Sequence, residues 1–104
     1  MKQPVFPARR VEILVDAPLV RRICSAADTI GVTNYTLLPT VGGRGAHGVW
    51  RQDEISGATA KLVFLTITSV EKADALIAAL APLLDSHDLL LTVDDVSVVR
   101  RQIL

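Results

Sequence analysis

The chain has 104 residues, half of them hydrophobic, which is enough for one domain with a continuous apolar core and too little for two. This hydrophobic content, with only 21% charged residues, excludes an intrinsically disordered chain. Lys plus Arg and Asp plus Glu both number 11, so the zero net charge excludes the overall field that draws basic proteins to nucleic acid or anionic membranes.

The N-terminal residues and the cysteine content favour a cytoplasmic location. Residues 1–9 are predicted to be a proline-containing leader without the apolar stretch of a secretory signal. Cys24 is the only cysteine, so no intrachain disulfide or paired-thiolate metal site is expected, and its place among apolar residues predicts a core position. The longest apolar run, residues 76–84, is too short to span a bilayer, and no membrane insertion is expected.

The first half of the chain predicts a strand, a helix and an edge strand. Residues 11–15 alternate with the period of a β-strand. A helix should follow, with Asp16 as its N-cap, a proline in its first turn and Gly31 as its C-terminal stop. Residues 36–41 favour a further strand, and Pro39 places it at a sheet edge or a bulge because proline cannot donate to a ladder.

The second half predicts a central strand, a second helix and a C-terminal β region. Residues 60–68 are nearly continuously apolar, as expected of a buried strand. Thr68 and Glu71 have the spacing of a capping box, which predicts the start of a helix that ends in a turn at residues 85–88. Two short strands should complete the chain, at residues 89–93 and 96–99.

This order of elements predicts a single domain over residues 1–104, of the α+β class. The expected architecture is ferredoxin-like, a split βαβ (βαββαβ) with an antiparallel sheet and two helices on one face. Because this fold carries many unrelated activities, the function has to be argued from a local site.

The strongest local signal is a glycine cluster: four of the chain's six glycines lie between Gly42 and Gly48, beside Arg44 and His47. Glycines let backbone amides converge on an anion, and Arg44 can add charge-assisted bonds to phosphate. The spacing is neither that of a Walker loop nor that of a Rossmann loop. A phosphate or carboxylate site and a flexible hairpin with a solvated arginine are therefore equal alternatives.

Four other polar or aromatic side chains are candidates for the site, whereas His87, in a polar turn, is expected to face solvent. Arg100 and Arg101 follow the last strand and can bring a guanidinium to a bound anion, or they form a solvated charge pair. His47 can donate to a phosphate or exchange a proton, although a loop histidine often faces water. Neither His47 nor His87 has a ligand partner at metal-binding spacing, so no metal is expected. Trp50 can stack on a ligand or cap the hairpin, and burial against a subunit or partner is favoured.

The whole pattern resembles the PII signalling superfamily over residues 10–100. The residues that carry the resemblance are Val11-Glu12-Ile13-Leu14-Val15, Ile30-Gly31-Val32-Thr33, Gly43-Arg44-Gly45 at the start of the Gly-x-Gly loop, and Val93-Asp94-Asp95-Val96 before Arg100. Within the superfamily the chain is most similar to the PII-like proteins tied to inorganic-carbon handling, which include a carboxysome-associated group.

The resemblance implies a homotrimer that holds an adenine nucleotide in each of three clefts between subunits and signals through a flexible T-loop to a target protein. It implies no resident cofactor. For the carbon-linked group it further implies ADP or AMP as ligands, bicarbonate as a co-ligand, and a carboxysome or bicarbonate-uptake component as target. The nucleotide contacts it implies come from Gly43, Arg44, Gly45, Ala46, His47 and Arg100, and Arg101 joins them as a candidate by its position.

The chain departs from the PII pattern in both of its loops. The T-loop-like segment, residues 44–57, is short, and no tyrosine lies between Ala46 and Thr59, so uridylylation is not expected. The turn at residues 85–88 lacks the glycines and lysine of the family's second ligand-binding loop. ADP or AMP is therefore expected in preference to ATP with 2-oxoglutarate.

Two other functions are compatible with the fold. A phosphate-cleaving, acylphosphatase-like enzyme would use the glycine loop and Arg44, but the sequence places no carboxylate, serine or second histidine near enough to orient a water. We therefore expect no enzymatic activity. An RNA-binding sheet is disfavoured because only 4% of the residues are aromatic and none cluster on the strands.

Overall fold

The computed structural model describes residues 3–51, 60–100 and 104. Its elements, in chain order, are β1 (Phe6–Asp16), a 3-10 turn (Ala17–Leu19), α1 (Val20–Ile30), β2 (Thr36–Pro39), β3 (Gly42–Gly45), β4 (Gly48–Arg51), β5 (Lys61–Thr68), α2 (Val70–His87) and β6 (Leu90–Val98). The main sheet has the order β2-β5-β1-β6 with antiparallel neighbours, and β3 pairs with β4 in a separate hairpin. The α+β fold with an antiparallel sheet is thus confirmed, and β2 lies at an edge as predicted.

The core lies between the sheet and the two helices. Alternate residues of β1 point into it, and Val11, Ile13 and Val15 have no exposed surface. Phe64 of β5 lies directly opposite Ile13 and is equally buried. The helices cover the same face of the sheet and contribute five fully or nearly fully buried residues, Ile23, Ala27, Ala73, Leu76 and Leu80. Within the described residues, neither helix combines the length and apolar character of a transmembrane span.

Two strands of the main sheet, β1 and β6, differ from the prediction. Strand β1 begins at Phe6, so the last four residues of the predicted leader, 6–9, belong to the sheet. The two predicted C-terminal strands are one continuous strand, β6, because Asp94 and Asp95 stay in the ladder. Asp95 pairs with Arg9 at 3.2 Å, and Asp94 lies 3.8 Å from Arg10 on the other face of the sheet. Cross-strand ion pairs therefore keep in register two aspartates whose β-propensity is low.

The observed ends of the helices also differ in part from the predicted ones. Ser69, not Thr68, is the N-cap of α2, and its side chain accepts a hydrogen bond from the amide of Lys72 at 3.2 Å. Asp16 stands at the predicted N-cap position, but its carboxylate forms an ion pair with Lys61 instead of capping. Gly31 ends α1 in the left-handed conformation, φ 97°, as predicted. Helix α2 continues to His87, through most of the predicted turn.

Cys24 lies on the side of α1 that packs against the core, as predicted. Its thiol forms a hydrogen bond with Tyr35, and this contact raises the pKa of the Tyr35 phenol above its usual value. The Tyr35 ring in turn stacks on Phe64, with 5.0 Å between ring centroids. These contacts fix the connection between α1 and β2 against the core.

Replacing Ser69 with alanine should lower the free energy of unfolding by about 1 kcal/mol, since one first-turn amide of α2 loses its acceptor. Urea denaturation measures this as a lower midpoint with an unchanged slope. Ser25→Ala, on the exposed surface of α1, is the matched control and should leave the midpoint nearly unchanged. Equal losses in both variants would contradict the cap assignment.

Candidate functional site

The glycine-rich segment forms the β3-β4 hairpin. Gly45 pairs with Gly48, and Ala46 and His47 form the turn between them. Gly48 has a φ of 107°, a conformation that a residue with a side chain rarely adopts. The hairpin is thus closed by a glycine at a position that requires one, and its backbone is exposed at the turn.

Two of the other glycines are explained by packing of Trp50. A Cβ atom at Gly43 would lie 2.5 Å from Cη2 of the indole, and one at Gly42 would lie 2.7 Å from the Trp50 carbonyl oxygen. At Gly45 the nearest heavy atom would be 3.8 Å away, an ordinary contact. Gly43 therefore leaves room for an aromatic ring, which is a reason for glycine that does not involve a ligand.

Trp50 anchors the hairpin to the body of the protein. It is only 7% exposed, and its indole Nε1 donates to the Thr40 hydroxyl at 2.9 Å. The Lys61 ammonium lies 5.3 Å from the centre of the ring, within the range of a cation–π interaction. The same ammonium pairs with Asp16. Of the alternatives for this tryptophan, capping of the hairpin is the one observed in the single chain.

The hairpin forms one wall of an open pocket of about 520 Å³. The other walls are the ends of β1 and β5 and the segment that joins α2 to β6. The lining comprises Leu14, Asp16, Lys61 and the ranges 44–50 and 87–90. Clefts of this size, partly apolar and with a few polar groups, are typical small-molecule sites.

The pocket brings together four of the seven residues predicted as ligand contacts, Arg44, Gly45, Ala46 and His47. Gly43 lies next to this group but does not line the pocket. Arg100 is exposed and follows the far end of β6, whose Val98 pairs with Phe6, whereas Leu90 at the pocket pairs with Leu14. The nine residues of β6 span about 26 Å at about 3.3 Å per step, so Arg100 does not reach the pocket of its own chain. Arg101 lies outside the described residues.

The structure adds polar residues that the sequence did not single out. His47 Nε2 lies 3.3 Å from the Asp88 carboxylate, although no pattern in the sequence indicated a carboxylate near this loop. His87 lines the pocket too, and its Nδ1 is 2.8 Å from the Ser86 hydroxyl. These residues meet the hairpin only because α2 ends beside it. In the sequence, only their position in a predicted helix-to-strand turn indicated that these residues could belong to a site.

Among the charged groups that line the pocket, Arg44 is the cation available to bind an anion. Arg44 is exposed, and no carboxylate among the described residues pairs with it. Lys61 is paired with Asp16, and His47 with Asp88. In the part of the chain that the structure describes, no group of three or more acidic, histidine or cysteine residues is arranged to hold a metal ion.

Comparison with known proteins identifies relatives of the whole chain. The sequence model of the family Nitrogen regulatory protein P-II matches residues 8–102. No curated protein matches the sequence. The chain is similar to structures of CPII, a nitrogen regulatory PII-like protein from Thiomonas intermedia K12.

Three CPII structures illustrate this likeness. The structure bound to ADP, AMP and bicarbonate has a TM-score of 0.88 at 20% identity, over 98% of this chain and 97% of CPII. The structure bound to ADP and bicarbonate gives 0.87 at 20% identity, over 98% of both chains. The structure bound to ADP, AMP and acetate gives 0.80 at 21% identity, over 97% of both. At these identities the likeness establishes a common fold.

Proposed function

Because this chain belongs to the nitrogen regulatory protein P-II family, we propose that it is a non-enzymatic PII-like regulator that binds ADP or AMP together with bicarbonate. The nucleotide lies in clefts between the subunits of a homotrimer. Its binding orders the T-loop-like segment, residues 44–57, and this changes the affinity for a partner in inorganic-carbon metabolism.

The observation that carries the proposal is the pocket between the hairpin and the end of α2. It places the exposed Arg44 guanidinium beside the turn residues Ala46 and His47. An arginine and main-chain amides at a glycine-containing turn are suitable donors for the oxygens of a phosphate group. Apolar side chains at the opposite side, Leu14 and Leu90 among them, offer a surface for the uncharged part of a nucleotide.

The sheet supports assembly into an oligomer. The face away from the helices carries large apolar side chains on all four strands, Leu14, Leu38, Val63, Ile67 and Leu90 among them. Leu38 is 41% exposed and Ile67 is 37% exposed in the single chain. Burial of this face between subunits would remove apolar surface from water. It would also allow Arg100 of one subunit to approach the pocket of another, which its distance forbids within one chain.

The ligand proposal is supported by the CPII structures. CPII structures are bound to ADP and AMP together with bicarbonate or acetate. Both small anions are planar groups with two equivalent oxygens, which a guanidinium or paired amides can bind in a bidentate manner. We therefore assign ADP or AMP and bicarbonate to the present pocket. A carboxysome or bicarbonate-uptake component is the proposed target, with a cytoplasmic or carboxysome-associated location.

Replacing Arg44 with alanine should weaken ADP binding about ten-fold, because the phosphates lose the one charge-assisted contact that the hairpin supplies. Titration calorimetry with ADP and with AMP, each with and without bicarbonate, measures this loss. The control is Arg22→Ala, an exposed arginine on α1 that does not line the pocket. Unchanged ADP affinity in Arg44→Ala, under conditions where the unmodified protein binds, would refute the proposed site.

One observation favours a second candidate, a phosphate-cleaving enzyme. The Asp88 carboxylate lies 3.3 Å from the His47 imidazole in the same pocket as Arg44, which is the arrangement of a general base and its orienting group. The enzyme would hydrolyse a phosphate compound, whereas the regulator would bind its nucleotide without cleaving it. Incubation with ADP and with an acyl phosphate, followed by phosphate release, decides between them: a regulator leaves both substrates intact, and sustained turnover abolished in His47→Gln would establish the enzyme.

A further inference from the structure

We propose that Asp88 determines how many phosphates the pocket accepts: its carboxylate disfavours a nucleoside triphosphate relative to the diphosphate. This inference rests on the proposed nucleotide site and names the ligand class that the site prefers. It starts from the charges of the pocket wall formed by the end of α2.

The position of Asp88 is fixed by its backbone. It is the C-cap of α2, with φ 54° and ψ 46°, and its amide donates to the Leu84 carbonyl. Among the described residues other than glycine, it alone has a positive φ. The side chain borders the pocket with Oδ2 3.3 Å from Nε2 of His47. A carboxylate is therefore held beside the hairpin turn at which the phosphates are proposed to bind.

The charges that line the pocket balance one another. Two permanent cations, Arg44 and Lys61, face two carboxylates, Asp16 and Asp88, so the described lining has no net charge when both imidazoles are neutral. Lys61 is already paired with Asp16. An additional phosphate would bring negative charge close to Asp88, and the described lining holds no further cation to match it. Asp88 therefore repels the third phosphate of ATP, whichever cations a neighbouring subunit adds to the pocket.

The size of this repulsion is limited by water. The Asp88 side chain is 70% exposed, so its field is screened by solvent and by salt. We expect its removal to raise the affinity for ATP relative to ADP about three- to ten-fold at low ionic strength, and the gain should shrink as salt is added.

The test is titration calorimetry of the full chain with ADP and with ATP, without divalent cations, at low and at high salt. Asp88→Asn removes the charge with almost no change of shape, and asparagine tolerates the left-handed conformation. Asp88→Gly, which adopts that conformation freely, is the second variant and keeps the test valid if the first folds poorly. The control is Asp85→Asn, an exposed residue of α2 that does not line the pocket.

In both position-88 variants the ratio of ATP to ADP affinity should rise at low salt, and the control should keep the ratio of the unmodified protein. An unchanged ratio at position 88 would overturn the proposal, and so would an equal rise in Asp85→Asn, because the cause would then be the net charge of the protein. If the unmodified protein binds no ADP, the proposed function itself is refuted and the inference falls with it.

Discussion

Replacing Phe64 with alanine is expected to lower the free energy of unfolding by about 3–5 kcal/mol, the largest effect of any single change considered for this protein. Phe64 is fully buried in β5, lies opposite Ile13 and Leu37 in the sheet, and stacks on Tyr35. Its removal leaves a cavity between the sheet and the helices and takes away a ring-ring contact. Urea denaturation at a fixed protein concentration measures the loss, since any oligomer makes stability depend on concentration.

The matched control for Phe64 is Val93→Ala on strand β6. Val93 is 43% exposed, so its truncation creates no enclosed cavity and should cost less than about 1 kcal/mol. A loss of this small size at Phe64 would show that the ring does not hold the sheet and the helices together. The comparison thus separates core packing from a general effect of shortening a strand side chain.

Replacing Gly43 with alanine is expected to displace the Trp50 indole and to destabilise the protein by roughly 1–3 kcal/mol. The added Cβ would lie 2.5 Å from the nearest ring carbon, closer than two non-bonded carbon atoms can approach. The indole has to move, and with it its hydrogen bond to Thr40 and its contact with Lys61. Because Trp50 is the only tryptophan, its fluorescence should shift to longer wavelength as the ring becomes more exposed to water.

Gly45→Ala is the control for this prediction, since it adds the same methyl group to the same strand. There the nearest heavy atom is 3.8 Å away, so the fluorescence and the denaturation midpoint should change little. Equal red shifts in the two variants would contradict the packing role of Gly43. If Gly43→Ala also weakens ADP binding, the loss follows from a deformed hairpin, because Gly43 itself does not line the pocket.

The tryptophan anchor gives the proposed signalling a physical basis. The hairpin is tied to the sheet by Trp50, Thr40 and Lys61, whereas its turn touches the end of α2 through His47 and Asp88. A ligand that binds between the turn and α2 contacts both sides at once. Ligand binding and partner binding at the loop would then be coupled reciprocally, each tightening the other.

The sequence by itself determined the order of the two helices and of the strands of the main sheet, apart from the division of β6 into two, and also the edge position of β2 and the end of α1 at Gly31. These features depend on neighbours in the chain: side-chain alternation, a proline without an amide hydrogen, and a glycine able to take a positive φ. The same local reasoning selected the glycine segment, and it carried the resemblance to the PII superfamily that the family match to residues 8–102 confirms.

Only the tertiary structure decided which residues meet. The spacing of Thr68 and Glu71 favoured Thr68 as the cap of α2, but Thr68 completes β5 and Ser69 takes the cap position. The pairing of His47 with Asp88 and the indole above Gly43 bring together groups that no sequence period relates. Contacts of this kind follow from how the strands and helices pack, so the pocket's composition, including its two carboxylates, could be obtained only from the folded chain.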